Sequence, residues 1–592
     1  MSDFSAARQK AASAAFFVSA ESLKIGAKSD TVRAPRPYVP EAMDPTAVSP
    51  SGPLRAWKQF GLVLLCAAWV LLGLVGHDPW KSEDAVTFAI ANEMAQRGDV
   101  VVPRLLGEPR LDRGPLVPAL AAMTQKLFSP PLAPHNGARL AIGLVLALML
   151  TFSALASREL NGRAFRWVPL LVLVGSVGFW DRSHALSADL GVTLAVAIAL
   201  YGFALALRRP IAGGVALGAA IAVGFLSHGL SAPLWIVVTA AILPFVGPAW
   251  RTRAWALTVG VAGAVALPLC GAWLAALQAR DPALLDAWRA TEPLVKYFAP
   301  VGSLDDFDPI YVLKNLLWFA WPALPLVLWT LWIRGRDFNG GLRQPGIEIP
   351  GVMAIVMLAS MALGANPSLP GMLPVLVPLA LLASLEVDSL KRGFSGALDW
   401  FGILTFGLLA VVFWGLWIDA YVNGMSLRVA RLFRDTEIGF QPTFKLWAIL
   451  TALFLTALWI VLVRPARKSN RRALLNWAAG VVLLWGLYST IWLPYLDSRR
   501  SYRTVAVALQ TQVPPGCIAG RNIADAQRAL FHYFGNVATV PDGTPAAERC
   551  GALLVQYGRQ TPEPLPGWKV AWEGSRRGDD TERFVLYMKD KP

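Results

Sequence analysis

Charged side chains are scarce in this chain: Asp, Glu, Lys and Arg make up 16% of 592 residues, whereas hydrophobic residues make up 55%. So little charge, together with repeated apolar runs of bilayer length, excludes a set of soluble domains and indicates a polytopic α-helical membrane protein. Residues 1–55 lack an apolar stretch long enough to insert, so they are predicted to be a disordered cytoplasmic tail rather than a signal peptide. The net charge of +15 is typical of membrane topology and contact with anionic lipid, not of nucleic-acid binding.

Thirteen apolar segments are candidate membrane spans within a predicted membrane domain at 56–497. An odd number of spans places the two termini on opposite sides of the membrane. The segments are 60–76, 137–157, 164–180, 185–206, 211–228, 230–247, 252–277, 311–333, 349–364, 370–386, 400–419, 445–463 and 472–493.

The positive-inside rule orients these spans. One side receives clusters of Arg and Lys, such as Arg158/Arg163/Arg166 and Arg464/Arg467, and is predicted to be cytoplasmic. The opposite, periplasmic side of a bacterial inner membrane receives loops at 77–136, 278–310 and 420–443, and the C-terminal region. The loop 420–443 is an exception to the positive-inside rule, because it is assigned to the periplasmic side but carries three arginines at helical spacing: Arg428, Arg431 and Arg434. It is predicted to be either an amphipathic helix on the outer membrane surface or a solvated helix that joins two spans.

The composition from 498 to 592 changes to that of a soluble domain. Two stretches have helical spacing, and CIAG, GALLVQY, WKVAWEG and RFVLYMK are strand-like, so we expect a small α/β domain in the periplasm. Cys517 and Cys550 each begin or precede a strand-like segment in this domain, and an oxidising compartment would allow them to form a disulfide. Cys66 and Cys270 lie in spans, where cysteine most often serves as a small apolar side chain.

The loop at 77–136 collects the charge that the rest of the chain lacks. We predict that Ser82 caps a helix whose first turn holds Glu83 and Asp84, and that Gly98 ends it. This helix would lie half buried at the membrane interface, and the Pro- and Gly-rich segment after it would lack regular structure. Two carboxylates at the height of lipid headgroups, followed by arginines, suit a reaction on a phosphorylated lipid. The alternative is that these charges only solvate a loop. The arginines expected to bind a phosphate are Arg104, Arg110 and Arg113.

The loop resembles a known family over residues 80–140. An acidic pair, then IANEM, GD, VVPRLLG and finally GARL at 137–140 are similar to the first outer loop of the aminoarabinose transferase and protein O-mannosyltransferase-like group of GT-C glycosyltransferases. The resemblance extends more weakly to about residue 500 and implies thirteen spans followed by an outer α/β domain. It also implies transfer of a sugar from a polyprenyl-phosphate donor on the outer face, with Glu83 as the essential carboxylate, or Asp84 if the register shifts by one.

Several positions depart from the pattern of that family. Its Lys-Pro is replaced by Arg113-Gly114-Pro115, which keeps a cation with different geometry, and its Arg-Tyr by Val86-Thr87. A second family Asp matches Asp189, and the family's Lys-Gly matches His228-Gly229. These changes leave the reaction class in place, but they do not support an aminoarabinose donor or a lipid A acceptor specifically, and they favour a related transferase that handles another sugar.

Single residues have a functional and a structural interpretation. Asp189 lies in an apolar segment, where an acid is either functional or paired structurally. His77, His184 and His228 fall at outer span ends, but without metal-binding spacing they do not indicate a metal site, although a divalent metal is not excluded. His228 would replace the charge of the lost lysine if protonated.

Two functions remain as hypotheses. The first is an inverting, polyprenyl-phosphate-sugar-dependent glycosyltransferase, monomeric, that acts on a lipid A, glycan or protein acceptor of the envelope. The second is a transporter or lipid-binding protein with the same architecture and no enzymatic activity. A transporter would favour paired ionisable groups at mid-membrane depth, whereas this sequence concentrates charge at one interface, which favours the enzyme.

Overall fold

The computed structural model describes residues 53–180, 182–292, 309–363, 368–424, 441–464, 469–514, 516–558, 565–576, 579 and 581–589. The predicted N-terminal tail up to residue 52 lies outside the described residues. So do residues 293–308 of the predicted loop 278–310 and the three arginines of the predicted amphipathic helix at 420–443.

Seven described helices are long and apolar enough to cross a membrane. The number rises to nine if each of two bent pairs counts as one span: Ile310–Phe319 with Ala323–Arg334, bent by 98°, and Asn470–Ser489 with Leu493–Arg500, bent by 62°. Pro322 lies in the first break, where it has no N–H to continue the helical ladder. The seven are Pro134–Asn161, Ala188–Ala206, Pro210–His228, Arg253–Arg280, Pro345–Leu363, Arg392–Asn423 and Leu446–Val463.

Shorter apolar helices occupy the remaining predicted spans. Helix Val168–Val174 has only 7 residues and is followed by a 3₁₀ turn. The span predicted at 370–386 is a 3₁₀ helix, Pro370–Val375, continued by helix Leu376–Ala383. The first and sixth predicted spans are helices Pro53–Leu71 and Ser231–Val246. Every predicted span therefore coincides with described helix, although several of these helices are shorter than a bilayer requires.

Helix Ala188–Ala206 lies at the centre of the bundle. In its most apolar 18-residue window 89% of the residues are buried, compared with 22% for Arg392–Asn423 at the periphery. Glycines let its neighbour Pro210–His228 approach closely: a Cβ at Gly213 would lie 2.6 Å from the Ala206 backbone. Small residues at helix contacts are the usual means of packing helices inside a bilayer.

The segment 77–136, here called the opening loop, is folded. It contains helix Glu83–Arg97, here called the loop helix, and helix Leu116–Phe128. Between them, strands Arg104–Leu105 and Glu108–Pro109 form a two-residue hairpin. The hairpin was not expected from the Pro- and Gly-rich sequence; positive φ angles at Leu106 and Gly107 make its tight turn possible.

The described residues after the last predicted span, here called the C-terminal domain, have the predicted α/β structure. Its helices are Arg503–Gln510 and Asp525–Gly535. Its five strands are ordered Thr539–Pro541, Ile518–Arg521, Ala552–Tyr557, Arg583–Lys589, Trp568–Ser575. The first three strands are parallel and the last two are antiparallel to their neighbours. Cys517 and Cys550, which precede two adjacent parallel strands, are joined by a disulfide, whereas Cys66 and Cys270 are free.

Candidate active site

The loop helix holds the two candidate carboxylates in its first turn. Gly98 ends the helix in the left-handed conformation, with a φ of 72°, as predicted. The predicted cap is different, because the Ser82 side chain makes no capping hydrogen bond. Instead the Asp84 carboxylate turns back and accepts the Trp80 backbone N–H at 3.1 Å. A carboxylate at this position also suits the positive end of the helix dipole.

The loop helix is largely buried within the protein. Ile90 and Met94 are each only 2% exposed. The helix packs against Leu116–Phe128 on one side and against Asp525–Gly535 of the C-terminal domain on another. Ala85 belongs to the hydrophobic core of the C-terminal domain. The first turn of the loop helix is therefore fixed from two directions.

Asp84 is a fully engaged buried carboxylate. One oxygen accepts Arg139 Nε at 3.3 Å and the Leu186 N–H at 3.0 Å, and the other accepts Arg139 Nη2 at 2.6 Å besides the Trp80 N–H. Four hydrogen bonds use the ordinary capacity of a carboxylate. Burial alone would raise the pKa of Asp84, but the charge and hydrogen bonds of Arg139 hold it below its ordinary value. Asp84 thus has no acceptor site left for a substrate.

Glu83 has a different environment one residue earlier. Arg113 Nη2 donates to Glu83 Oε1 at 2.6 Å, and Arg113 Nη1 contacts Oε2. Their side chains are 30% and 27% exposed, respectively. Burial lowers the pKa of Arg113 while the charge of Asp189 opposes that shift, and a guanidinium remains charged at neutral pH. Glu83 is thus partly exposed and held by the Arg113 guanidinium.

Glu83 and Asp84 line a cavity of about 300 Å³, here called the carboxylate pocket. Its walls come from the opening loop, from the segment after the third predicted span, and from the end of the last predicted span. The side chains used below are Lys81, Arg182, Trp485, Tyr488 and Arg500. The pocket thus combines an accessible carboxylate with several cations, the composition that chemistry on a phosphorylated substrate requires.

Of the three arginines predicted to bind a phosphate, Arg113 contacts Glu83, and the other two lie elsewhere. Arg104 Nη1 donates to the Gly107 carbonyl at 3.3 Å and supports the hairpin turn. Arg110 pairs with Asp112 at 3.0 Å and with Asp525 of the C-terminal domain at 2.7 Å. Neither Arg104 nor Arg110 lines the carboxylate pocket.

Asp189 and His228 flank the Arg113 segment. Asp189 accepts a hydrogen bond from the Ser187 hydroxyl at 2.9 Å, and its charge acts on Arg113. The Gly114 N–H donates to the Ser227 carbonyl at 3.1 Å, next to His228. The His228 ring pairs with the Ser231 hydroxyl at 3.3 Å. Asp189 therefore belongs to the charge environment of Arg113, and His228 lies beside it in the chain.

The three span-end histidines do not meet at one point. His77 donates to the Asp78 carbonyl at 2.7 Å and His184 to the Trp69 carbonyl at 2.7 Å. Burial lowers the pKa of His77 to about 3, so its ring is neutral at neutral pH. Within the described residues, no group of three or more His, Cys, Asp or Glu side chains could hold a metal ion.

A second cavity, here called the apolar groove, lies beside the carboxylate pocket. Its volume is about 940 Å³, and aromatic side chains including Trp180, Trp321 and Trp477 line it. The Trp180 ring meets Trp485 edge to face at 6.1 Å and Tyr488 at 6.4 Å. Because Trp485 and Tyr488 line the carboxylate pocket, the two cavities share an aromatic wall.

Comparison with solved structures identifies the fold. The structure of ArnT from Cupriavidus metallidurans bound to undecaprenyl phosphate superposes with a TM-score of 0.62 at 16% identity, covering 90% of this chain and 98% of that one. This chain has the ArnT-like GT-C fold. An oligosaccharyltransferase from Archaeoglobus fulgidus, in the apo form, gives a TM-score of 0.50 at 12% identity, covering 83% of this chain and 65% of that one.

Sequence comparison gives the same group. The chain is 27% identical over 348 residues to the undecaprenyl phosphate-α-4-amino-4-deoxy-L-arabinose arabinosyl transferase of Serratia proteamaculans (strain 568), covering 56% of this chain and 59% of that protein. The match thus spans about three fifths of the relative's length. No family model matches the sequence. The predicted resemblance to the aminoarabinose transferases is confirmed.

Sequence reasoning missed several residues that shape the site in this ArnT-like fold. Arg139, which is fully buried, donates to the carbonyls of His77 and Asp78 as well as to Asp84. It was visible in the sequence only as the Arg of the GARL motif. Lys81 Nζ pairs with Glu582 of the C-terminal domain at 2.6 Å. A contact between residues 501 positions apart has no local sequence signal.

Proposed function

We propose that this protein is an integral-membrane glycosyltransferase that moves a sugar from a polyprenyl-phosphate donor to an envelope acceptor. The observation that carries the proposal is the position of Glu83, which is partly exposed and lines a pocket that shares a wall with an apolar groove. A lipid-linked sugar has the matching form, a polar head and a long apolar tail. The relative from Serratia proteamaculans, named for an undecaprenyl phosphate-linked sugar, supports this reading.

In the proposed reaction Glu83 acts as the general base. It accepts the proton of an acceptor hydroxyl while that oxygen attacks the anomeric carbon from the face opposite the phosphate. The new glycosidic bond forms as the bond from the anomeric carbon to the phosphate oxygen breaks. The polyprenyl phosphate leaves with the bonding electrons, and the sugar configuration is inverted. If the acceptor is itself a phosphate, no proton is removed, and Glu83 orients groups or stabilises developing charge instead.

Arg113 orients Glu83 in this mechanism. Its guanidinium meets both carboxylate oxygens and holds one of them by a charge-assisted hydrogen bond. Arg113→Ala should therefore lower transfer strongly. Arg113→Lys should restore part of the loss, because the charge survives although the two-pronged geometry does not. If both variants transfer the sugar as the wild type does, Arg113 has no role in catalysis and only solvates the loop.

The proposal includes the topology predicted from the sequence. Thirteen spans would place the N-terminal tail in the cytoplasm, and the opening loop and C-terminal domain in the periplasm, in a monomer within the bacterial inner membrane. The clustering of Lys and Arg in the loops of one side supports this orientation. Accessibility of single introduced cysteines to a membrane-impermeant reagent, at Glu108 and at Arg343, tests it.

The function itself is tested with extracted lipids and purified protein. Cells without the protein should lack one sugar on lipid A, a glycan or an envelope protein, or should accumulate a polyprenyl-phosphate sugar. Purified protein in lipid nanodiscs should release undecaprenyl phosphate from that donor only when the acceptor is present. Wild-type protein that binds the donor lipid but never transfers would favour the lipid-binding or transport alternative.

A further inference from the structure

The carboxylate pocket contains cations that the proposed mechanism does not use. Three basic side chains line it: Lys81, Arg182 and Arg500. They come from distant parts of the chain, namely the opening loop, the turn after the third predicted span, and the helix that leads into the C-terminal domain. They surround the same cavity as Glu83, so they face any substrate on which Glu83 acts.

Arg113 is poorly placed to bind a phosphate in this pocket. Both of its terminal nitrogens face the two oxygens of Glu83, and Arg113 does not itself line the cavity. Binding a phosphate would require Arg113 to release the carboxylate that it orients. Arg104 and Arg110 are more distant still, because each has its own partners outside the pocket.

The pocket cations differ in how fully they are engaged. Lys81 is paired with Glu582 at 2.6 Å. The guanidinium of Arg500 lies over the Trp80 ring, 4.7 Å from its centroid, which holds the side chain in place through a cation–π contact. Arg182 is half-buried, and among the described residues no hydrogen bond or ion pair joins it to another group. A half-buried guanidinium without such a partner is available to an anionic ligand.

Arg182 lies close to the point where the two cavities meet. Trp180, two residues earlier, lines the apolar groove and contacts Trp485 and Tyr488 of the carboxylate pocket. Two residues span at most about 7 Å of extended chain. A lipid whose tail lies in the groove and whose sugar faces Glu83 would therefore have its phosphate next to Arg182, because the phosphate is the group between tail and sugar.

We infer that Arg182 and Arg500 bind the donor phosphate at the junction of the carboxylate pocket and the apolar groove, while Arg113 remains with Glu83. This inference rests on the proposed function and assigns residues to it. The positive charge of these residues also suits the reaction, because the phosphate becomes more negative as it leaves. The donor phosphodiester carries one negative charge, and the leaving polyprenyl phosphate carries about 1.5 to 2. Cations that face this oxygen stabilise the charge that develops as the bond breaks.

Two probe lipids with the same tail test the assignment: undecaprenyl phosphate and undecaprenol, which lacks the phosphate. Binding to the purified full-length protein in nanodiscs gives the phosphate preference as a ratio of affinities. Arg182→Gln should lower the affinity for undecaprenyl phosphate by about 10- to 100-fold, the usual effect of removing a charge-assisted hydrogen bond. Undecaprenol binding should not change, which also shows that the variant is folded. Arg182→Lys should recover part of the preference.

Arg500→Gln gives an independent second test, with a similar but smaller loss expected. Arg104→Gln is the matched control, an arginine of the opening loop that lies outside the pocket, and it should keep the wild-type preference. If Arg182→Gln and Arg500→Gln both keep the preference, or Arg104→Gln loses it equally, the assignment is overturned while the proposed function stands. If the wild type itself does not distinguish the two lipids, the proposed function fails, and the assignment fails with it.

Discussion

Glu83 and Asp84 are neighbours in the chain, but their surroundings are opposite. Asp84 is 6% exposed and its partner Arg139 is 1% exposed, and every oxygen of Asp84 is occupied by donors from the protein. Glu83 is 30% exposed, is paired with Arg113, and faces a cavity. A helix start presents successive side chains to different directions, about 100° apart for 3.6 residues per turn. One carboxylate therefore points into the protein and the other toward the pocket.

The difference separates what holds the site from what acts in it. A buried ion pair must be fully hydrogen-bonded to exist, since an unpaired buried charge is costly. A catalytic group must keep free capacity for the substrate. By this criterion Asp84 and Arg139 fix the loop helix to the bundle, and Glu83 is the candidate base. Variants of the two carboxylates should therefore fail in different ways.

The largest expected effect is on catalysis. Glu83→Gln should lower transfer by roughly two to four orders of magnitude, the usual contribution of a positioned acid or base. Its thermal stability should stay close to that of the wild type, because Arg113 is partly solvated and can still donate to the amide oxygen. The matched control is Glu108→Gln, the same change at an exposed position of the opening loop, which should be active. If Glu83→Gln keeps near-full transfer while a stable Asp84→Asn protein loses transfer, Asp84 is the catalytic carboxylate and Glu83 is not.

The next effect is on stability. Arg139→Met should destabilise the fold by about 3–5 kcal/mol, because it leaves the buried Asp84 carboxylate unpaired. The measurement is thermal unfolding in detergent, with expression level as a second readout. Adding Asp84→Asn to Arg139→Met should recover part of the loss, since removing both charges costs less than removing one. Arg289→Met, at an exposed pair with Asp286, should change little. A stable single variant would show that Arg139 does not anchor the loop helix.

Local features of the fold were predictable from the sequence because neighbouring residues determine them. The loop helix begins at Glu83 and ends before Gly98 as predicted, and all four predicted strands of the C-terminal domain are present. The fifth strand, Thr539–Pro541, was missed because three residues ending in Pro carry no alternating pattern. The absence of a Ser82 cap was missed as well, because Asp84 occupies the Trp80 N–H through a local turn that spacing does not reveal.

The site was predictable only in part. The acidic pair and Arg113 were found because they lie within one charge-rich loop, and the structure joins Glu83 to Arg113. The pocket cations Arg182 and Arg500 were not found, since their approach to Glu83 depends on how distant helix ends pack. Arg110 was predicted to bind a phosphate from its position in the loop, and its pairing with Asp525 of the C-terminal domain has no local sequence signal.

A third prediction concerns the C-terminal domain, which packs against the loop helix. Cys517→Ser with Cys550→Ser should destabilise this domain by roughly 3 to 4 kcal/mol, because the disulfide restricts a loop of 33 residues in the unfolded chain. Limited proteolysis and thermal unfolding measure the change. Cys270→Ser, at a free half-buried cysteine, is the control. Both thiols of wild-type protein reacting with an alkylating probe, in the denatured and unreduced state, would contradict the disulfide.

The smallest expected effect comes from the contact between Lys81 and Glu582. Glu582 is held by Tyr502, Gln527 and Arg576 of its own domain, and it fixes Lys81 two residues before Glu83. Since Lys81 is partly exposed, Glu582→Gln should lower stability by only about 0.5–1 kcal/mol. Transfer should fall by a few-fold, because the start of the loop helix becomes less well fixed. Glu573→Gln, which breaks a half-exposed pair with Arg583 in the same sheet, should leave transfer unchanged.

The pH dependence of the Glu582 contact distinguishes an ion pair from simple packing. Burial alone would raise the pKa of Glu582, but the hydrogen bonds from Lys81 and Tyr502 hold it below its ordinary value. The contact therefore stabilises the fold above the ordinary glutamate pKa of about 4.3, and the stabilisation is lost as the pH falls through the lowered value. The difference in melting temperature between wild type and Glu582→Gln should shrink over that range. A difference that persists at lower pH would mean that Glu582 acts through packing, and that the C-terminal domain positions the loop helix without this charge.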